Sequence, residues 1–205
     1  MFTCWEPDGT LAAISAERRH GPTAWYWSAI LGVGRPVLHV TEWEVPLRAS
    51  APGVLKAHQL WAEHLCEVPM EQWTVSNECY ATALDDPDEA LGRAYGTAAP
   101  IAIDLEWYAT APPRAIDATD EHGYVQDGVV HGVIEGVPDH PLLTEVPARR
   151  WHRWGDHLGP LALPDAYAHA DARVVFAFPD HTVADWALTP DGFRSRRSAA
   201  SSAAG

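Results

Sequence analysis

The sequence of 205 residues has very little lysine and no long apolar run. Lys56 is the only lysine, so Schiff-base chemistry would have a single candidate residue without supporting neighbours. No apolar run approaches the roughly 20 residues that a membrane-spanning helix needs. A glycine-rich phosphate loop, a Gly-x-Ser-x-Gly elbow, a His-Glu-x-x-His motif and a Cys-x-x-Cys motif are also missing. Nucleotide-dependent enzymes, serine hydrolases and membrane-spanning proteins are therefore disfavoured.

Positive charge is scarce as well. The chain has 14 Lys and Arg against 28 Asp and Glu, which gives a formal net charge of −14. Because this charge repels phosphate backbones and anionic membrane surfaces, we expect no nucleic-acid partner. Cys4, Cys66 and Cys79 are an odd number without dense spacing, and no signal-peptide pattern is visible at the start. These features favour a soluble cytoplasmic protein without a disulfide, and they leave the oligomeric state open.

Tryptophan, by contrast, is abundant, with ten residues. Most of them should fill a core, whereas a few could plug a barrel or line a pocket for a flat or apolar ligand. Alternating apolar and polar residues predict strands, and Asp127-Gly128 predicts the turn of a hairpin within 124–137. An aspartate cap followed by Pro87 and acidic residues predicts a short helix over 86–94. The other predicted strands are 23–33, 37–47, 54–68, 70–84, 100–110, 173–178 and 182–188.

This series of strands predicts a mainly β chain. The fold class we expect is a lipocalin-like antiparallel β-barrel or a sandwich, with one full and one partial barrel as a variant. The β domain would span residues 1–194, with a weak subdivision near 112–113. Residues 195–205 are small and polar, so we expect a disordered tail.

The first candidate site segment is 61–73. His64 shares a strand face with Ala62 and Cys66, which favours a hydrogen-bonded core histidine. The alternative places Glu71 and Trp73 at a barrel mouth, where a carboxylate and an aromatic wall could contact a ligand.

The second candidate segment is 104–108. Asp104 and Glu106 project from the same strand face, and two neighbouring carboxylates can raise one pKa enough to give a protonated acid. Such an acid suits proton transfer to an alkene or enol. Trp107 and Tyr108 would then contact the substrate. The alternative is a strand surface that faces water.

The third candidate segment is 149–157, the densest group of titratable and aromatic residues. His152 and Asp156 could supply acid–base groups, and Trp154 and His157 could contact a substrate. A metal is disfavoured, because the five-residue spacing of the histidines follows no zinc pattern and the neighbouring arginines repel a cation. The structural alternative is stacking of arginine on tryptophan across a sheet corner.

Several segments occur in an order that resembles the hydroxyneurosporene synthase (carotenoid hydratase) and AttH-like proteins, over about residues 55–185. The segments are Leu60 to Leu84, Ile103-Asp104-Leu105-Glu106-Trp107, Gly123-Tyr124-Val125-Gln126 with Val129 to Glu135, and His152-Arg153-Trp154-Gly155. The resemblance implies lipocalin-like β domains, often in tandem, and an apolar small-molecule pocket. Members of the group that the sequence resembles include hydratases that act on isoprenoid double bonds. Lipocalin-like cyclases that fold polyene chains are similar to them in architecture. This chain has room for one complete barrel and part of a second.

Two functional hypotheses remain. In the first, an enzyme binds a terpenoid or polyketide-like substrate and catalyses acid-assisted hydration, cyclisation or isomerisation without a redox cofactor. Asp104 or Glu106 would be its acid, and His152 and Asp156 would assist. In the second, a carrier or binding protein holds an apolar ligand without chemistry. The hypotheses differ in whether these acids point into the cavity. Both place an aromatic wall around the ligand, formed by Trp73, Trp107 and Trp154.

Overall fold

The computed structural model describes residues 1–116, 121–138, 142–155 and 172–196. Of the described residues, 67% lie in β-strands and 3% in helix, which confirms the mainly β prediction. The strands are β1 (Phe2–Trp5), β2 (Ala12–His20), β3 (Thr23–Leu31), β4 (Val37–Pro46), β5 (Val54–Lys56), β6 (Leu60–Val68), β7 (Gln72–Leu84), β8 (Thr97–Ala109), β9 (Arg114–Ala115), β10 (Glu121–Glu135), β11 (Leu143–Gly155), β12 (Arg173–Ala177), β13 (Val183–Thr189) and β14 (Gly192–Ser195). A short 3-10 helix spans Pro87–Leu91, within the predicted 86–94.

Eight of the strands form a closed antiparallel ring. The order around the ring is β1, β2, β3, β4, β7, β8, β10 and β11, and β11 pairs back with β1. Pairing of His39 in β4 with Thr82 in β7 joins the two halves of the ring. Apart from β5, β6 and β9, neighbours in the ring follow one another along the chain. This up-and-down order is typical of lipocalin-like barrels.

The β5–β6 hairpin belongs to one end of the barrel. β7 pairs with β4 only near its C-terminal end, at Thr82 to Leu84. Its N-terminal part, from Gln72 to Cys79, pairs with β6 instead. The β5–β6 hairpin therefore pairs with the part of the β7 edge that does not pair with β4. We call this end, where β1 begins and β11 ends, the barrel mouth.

One face of each strand fills the barrel interior. In β8 the inward residues are Ile103, Leu105 and Trp107, all buried, whereas Asp104 and Glu106 alternate with them and are exposed. Apolar residues from the other strands complete this core, among them Ala13, Ile30, Val75, Val130 and Val146.

A second core lies outside the barrel. The three-stranded sheet β12–β14 packs over the outer face of β2 and β3 and buries Trp27 and Trp186 there. Arg173 in β12 forms ion pairs with Asp185 at 2.7 Å and with Asp88 at 2.7 Å, which links this sheet to the 3-10 helix. The buried tryptophans of this core confirm that tryptophan serves largely as core filler. No helix within the described ranges has the length and apolarity to cross a membrane.

The predicted hairpin at Asp127-Gly128 is wrong. β10 continues through both residues without a turn, pairing with β11 and β8 on its two sides. Tertiary contacts override the local turn preference. A Cβ at Gly128 would meet the Trp107 indole. Asp127 is held in the sheet by ion pairs with Arg149 at 2.5 Å and Arg114 at 2.9 Å.

One smaller prediction also needs correction. The predicted strand 54–68 is divided into β5 and β6, because residues 57–59 form the turn of a hairpin. The strands before and after 112–113, β8 and β10, pair with each other from Ala109 to Ala102, and the predicted weak subdivision there stays a prediction. One predicted variant of the fold had a partial second barrel. The structure has the separate three-stranded sheet β12–β14 instead.

Candidate functional site

A cleft of about 730 Å³ opens at the barrel mouth. This volume lies within the roughly 300–1,000 Å³ of small-molecule pockets. Its walls come from the beginnings of β1 and β7, the ends of β2, β6 and β11, and the loop before β5. The lining includes Phe2, Arg19, Gly53, His64, Trp73, Arg150, His152 and Trp154.

The barrel below the cleft is almost full. A void of only about 10 Å³ lies among Phe2, Cys4, Val75 and Leu105. This is room for about one water molecule. An eight-stranded barrel has just enough interior for its own side chains or one small ligand, and here the side chains occupy it. A ligand would therefore lie in the mouth and not deep in the barrel.

Arg150 lies at the inner end of the cleft. Strand alternation places it inside the barrel with Val146 and Ala148, and it is 4% exposed. Its guanidinium carbon is 4.2 Å from the centroid of the Trp73 ring and 5.1 Å from that of Tyr124. Nη1 donates a hydrogen bond to the Tyr124 hydroxyl at 2.7 Å. Three aromatic faces stabilise the cation, since Phe2 adds a third at 5.8 Å.

A buried polar network lies beside Arg150. Ser15 Oγ is 2.8 Å from His64 Nε2 and 3.0 Å from the Tyr26 hydroxyl. Asn77 Nδ2 donates to the same hydroxyl at 2.7 Å and to Ser28 Oγ at 3.2 Å. Burial lowers the pKa of His64 to about 3, so the imidazole is neutral at pH 7. The prediction of a hydrogen-bonded core histidine is confirmed, and His64 also borders the cleft.

The described lining of the cleft is rich in arginine. Arg18, Arg19, Arg150 and Arg153 are part of it, whereas Glu17 is its only acid. Glu17 forms an ion pair with Arg19 at 2.8 Å. Arg18 lies 3.6 Å from Asp180, so Arg18 and Arg19 are both paired with acids of the chain.

His152 and Trp154 form the outer rim. His152 stacks on Tyr124 with ring centroids 5.3 Å apart, and Trp154 meets it edge-on at 5.5 Å. Burial lowers the pKa of His152, and the neighbouring Arg150 cation lowers it further. Trp154 is 55% exposed, so its indole is accessible to a ligand or to solvent. Both residues were predicted from the sequence as candidate site residues, and both line the cleft.

Asp104, Glu106 and Tyr108 lie on the outside of the barrel. Both carboxylates are exposed, because the aliphatic face of β8 fills the interior. Asp104 accepts a hydrogen bond from Ser76 at 3.0 Å, and Glu106 accepts one from Tyr108 at 2.5 Å. This placement corrects the hypothesis that either acid protonates a substrate in an interior pocket. The alternative of a water-facing strand surface fits both residues.

The remaining predicted site residues are Trp73, Trp107, Glu71, Asp156 and His157. Trp73 lines the cleft at the barrel mouth. Trp107 is fully buried in the barrel core, and the described lining of the cleft does not include it. Glu71 is exposed in the turn before β7, also away from that lining. Asp156 and His157 lie outside the described residues. In the part of the chain that the structure describes, no group of His, Cys, Asp and Glu is arranged to hold a metal.

Sequence reasoning missed Phe2, Ser15 and Tyr124 and treated Arg150 only as a stacking partner. Arg150 does stack on Trp73, as the structural alternative for 149–157 proposed. The alternation of Val146, Ala148 and Arg150 in β11 was the available signal for an inward arginine, but Pro147 interrupts that strand pattern. Ser15 and Tyr124 carry no local signal, since their partners are distant in sequence.

Comparisons with known proteins add no relative. No protein-family model matches the chain, and neither the curated proteins nor the solved structures gave a significant match. The resemblance to the hydroxyneurosporene synthase and AttH-like proteins therefore stays an expectation. The class that the structure supports is an eight-stranded antiparallel barrel with an arginine-rich, aromatic cleft at its mouth.

Proposed function

We propose that this protein binds an apolar small molecule in the cleft at the barrel mouth. The observation that carries the proposal is the cleft itself, about 730 Å³ in volume and lined by the aromatic residues Phe2, Trp73 and Trp154. Tryptophan and phenylalanine faces supply large apolar contact area, and the polar residues among them can orient a ligand.

Binding without chemistry is favoured over acid-assisted turnover. The two acids proposed for catalysis, Asp104 and Glu106, lie outside the barrel. Glu17, the only acid in the described lining, is paired with Arg19. His64 is neutral at pH 7 because burial lowers its pKa to about 3, so it is a poor proton donor. The hydration, cyclisation and isomerisation hypotheses therefore have no unpaired carboxyl group among the described lining residues.

Titration with Nile red, a neutral dye that fluoresces in apolar surroundings, tests the proposal. We expect saturable binding with one site per chain. Trp73→Leu should weaken that binding by about fivefold or more, because it removes an indole from the cleft wall. Trp61→Leu is the matched control, since Trp61 lies on the outer side of β6, opposite Leu60 and Ala62.

The proposal fails if the folded protein shows no saturable Nile red binding. It also fails if Trp73→Leu and Trp61→Leu change the affinity equally. Mass spectrometry of ligands retained from a cell extract, before and after incubation with the protein, then separates a carrier from a catalyst. A carrier returns its ligand with an unchanged mass.

A further inference from the structure

We infer that the ligand carries a carboxylate, which pairs with Arg150 at the inner end of the cleft. This inference rests on the proposed binding function and adds the chemical class of the ligand. The structure assigns the role to Arg150 because it is a buried cation, open to the cleft, that has no carboxylate partner in the described part of the chain.

Arg150 has unused hydrogen-bonding capacity. A guanidinium carries five N–H donors, and the hydrogen bond that the structure gives Arg150 in the described ranges is the one to Tyr124. Other arginines of this acidic protein are paired: Arg149 with Asp127, and Arg173 with Asp185. Buried charges in proteins are normally paired, and a planar guanidinium binds a carboxylate through two parallel hydrogen bonds. The guanidinium of Arg150, which has no carboxylate partner in the described ranges, is therefore suited to an anion supplied by a ligand.

The surroundings of Arg150 favour an anion with an apolar body. Phe2 and Trp73 contact the guanidinium with their ring faces, and both line the cleft. Trp73 Nε1 is also buried without an acceptor in the described part of the chain. Glu17, the one acid of the described lining, is engaged by Arg19 at 2.8 Å and is therefore not the partner of Arg150. A carboxylate beside Arg150 would leave its apolar chain between these rings and the rim at Trp154.

The experiment compares three probes with the same chain length: dodecanoate, dodecanol and dodecyltrimethylammonium. Each is titrated, below its micelle concentration, against the complex of the protein with Nile red. We expect dodecanoate to displace the dye at about tenfold lower concentration than dodecanol, and the cation to be weakest. This wild-type series tests the inference without any variant.

Arg150→Gln then tests the residue. We expect the preference for dodecanoate over dodecanol to fall to about twofold or less, while Nile red still binds. Arg48→Gln is the matched control, because it removes the same charge from an exposed loop residue and should keep the preference. Circular dichroism confirms that each variant is folded. If Arg150→Gln does not fold, the wild-type series decides the ligand class.

The outcomes separate the two proposals. Nile red binding with equal displacement by dodecanoate and dodecanol overturns the carboxylate inference and leaves the binding proposal intact. A preference for dodecanoate that survives in folded Arg150→Gln also overturns the assignment to Arg150. Absence of saturable Nile red binding overturns the binding proposal, and the carboxylate inference, which rests on it, falls with it.

Discussion

The indole of Trp107 occupies the space that a side chain at Gly128 would need. A Cβ built on Gly128 would lie 2.5 Å from Cε2 and 2.6 Å from Cζ2 of Trp107. The two residues lie on neighbouring strands, β8 and β10, and Trp107 is fully buried beneath the cleft. The largest side chain of the barrel core thus depends on the smallest residue of the adjacent strand.

The first prediction follows from this contact. Gly128→Ala should lower the free energy of unfolding by about 2 kcal/mol or more, because the methyl group collides with the indole and with the Tyr108 carbonyl oxygen. Urea denaturation measures the change. Gly21→Ala is the control: Gly21 has φ +55° and open space around its Cβ position, so only the backbone cost of about 1 kcal/mol applies. Equal losses in the two variants would contradict the steric explanation.

The second prediction concerns the polar network below the cleft. Ser15→Ala leaves the buried His64 Nε2 without its hydroxyl partner and takes one partner from Tyr26. We expect a loss of about 1–3 kcal/mol in the free energy of unfolding. Ser50→Ala, in an exposed loop, should change it by less than about 0.5 kcal/mol. If both variants unfold at the same urea concentration as the wild type, the network contributes no stability.

The third prediction is a pH dependence of stability that His39 carries in part. Its Nε2 is 3.0 Å from the Val175 carbonyl oxygen, and burial lowers its pKa from 6.5 to about 4. In the unfolded chain the histidine takes up a proton at higher pH. The stability that neutral His39 contributes is therefore complete above pH 6.5 and is lost as the pH falls towards 4.

His39→Gln tests this prediction. Between pH 6.5 and pH 4, His39 should lower the free energy of unfolding of the wild type by up to about 1.4 kcal/mol per pH unit. The variant should lack this contribution. The glutamine amide can still donate to the Val175 carbonyl. His58→Gln, at an exposed position, should keep the wild-type slope. The same slope in all three proteins would mean that His39 does not stay neutral in the folded state.

The fourth prediction concerns the outward acids. Asp104→Asn and Glu106→Gln should change Nile red affinity by less than about twofold, because both carboxylates are exposed on the outer face of β8. Fluorescence titration measures this beside Trp73→Leu. A loss of about tenfold or more in either acid variant would return these residues to the binding site.

Several elements of the fold could be read from local sequence. The hairpin of β3 and β4 follows from alternating residues around a Gly-Arg-Pro turn, and the helix near Pro87 follows from its aspartate cap. β1 is only four residues long, and its place between β2 and β11 depends on β11, which is far away in the sequence. Local pattern could not show that pairing, because nothing in residues 2–5 specifies a distant partner.

The candidate site was predicted in part. Trp73, His152 and Trp154 do line the cleft. The acids of β8 were placed correctly on one strand face, but alternation alone does not tell which face is inside. The direction is decided by where Ile103, Leu105 and Trp107 find other apolar residues to pack against.

By itself, the sequence determined that the chain is acidic, mainly β and dependent on tryptophan for its core, because composition and alternation act locally along each strand. Only the tertiary structure decided that β10 runs straight through Asp127-Gly128, since that choice depends on Trp107 and Arg149. It also decided that Arg150 faces Trp73 inside the mouth. Closure of the ring brings β1, β7 and β11 together. Only then can aromatic rings stabilise the Arg150 guanidinium, because the rings around it come from separate strands.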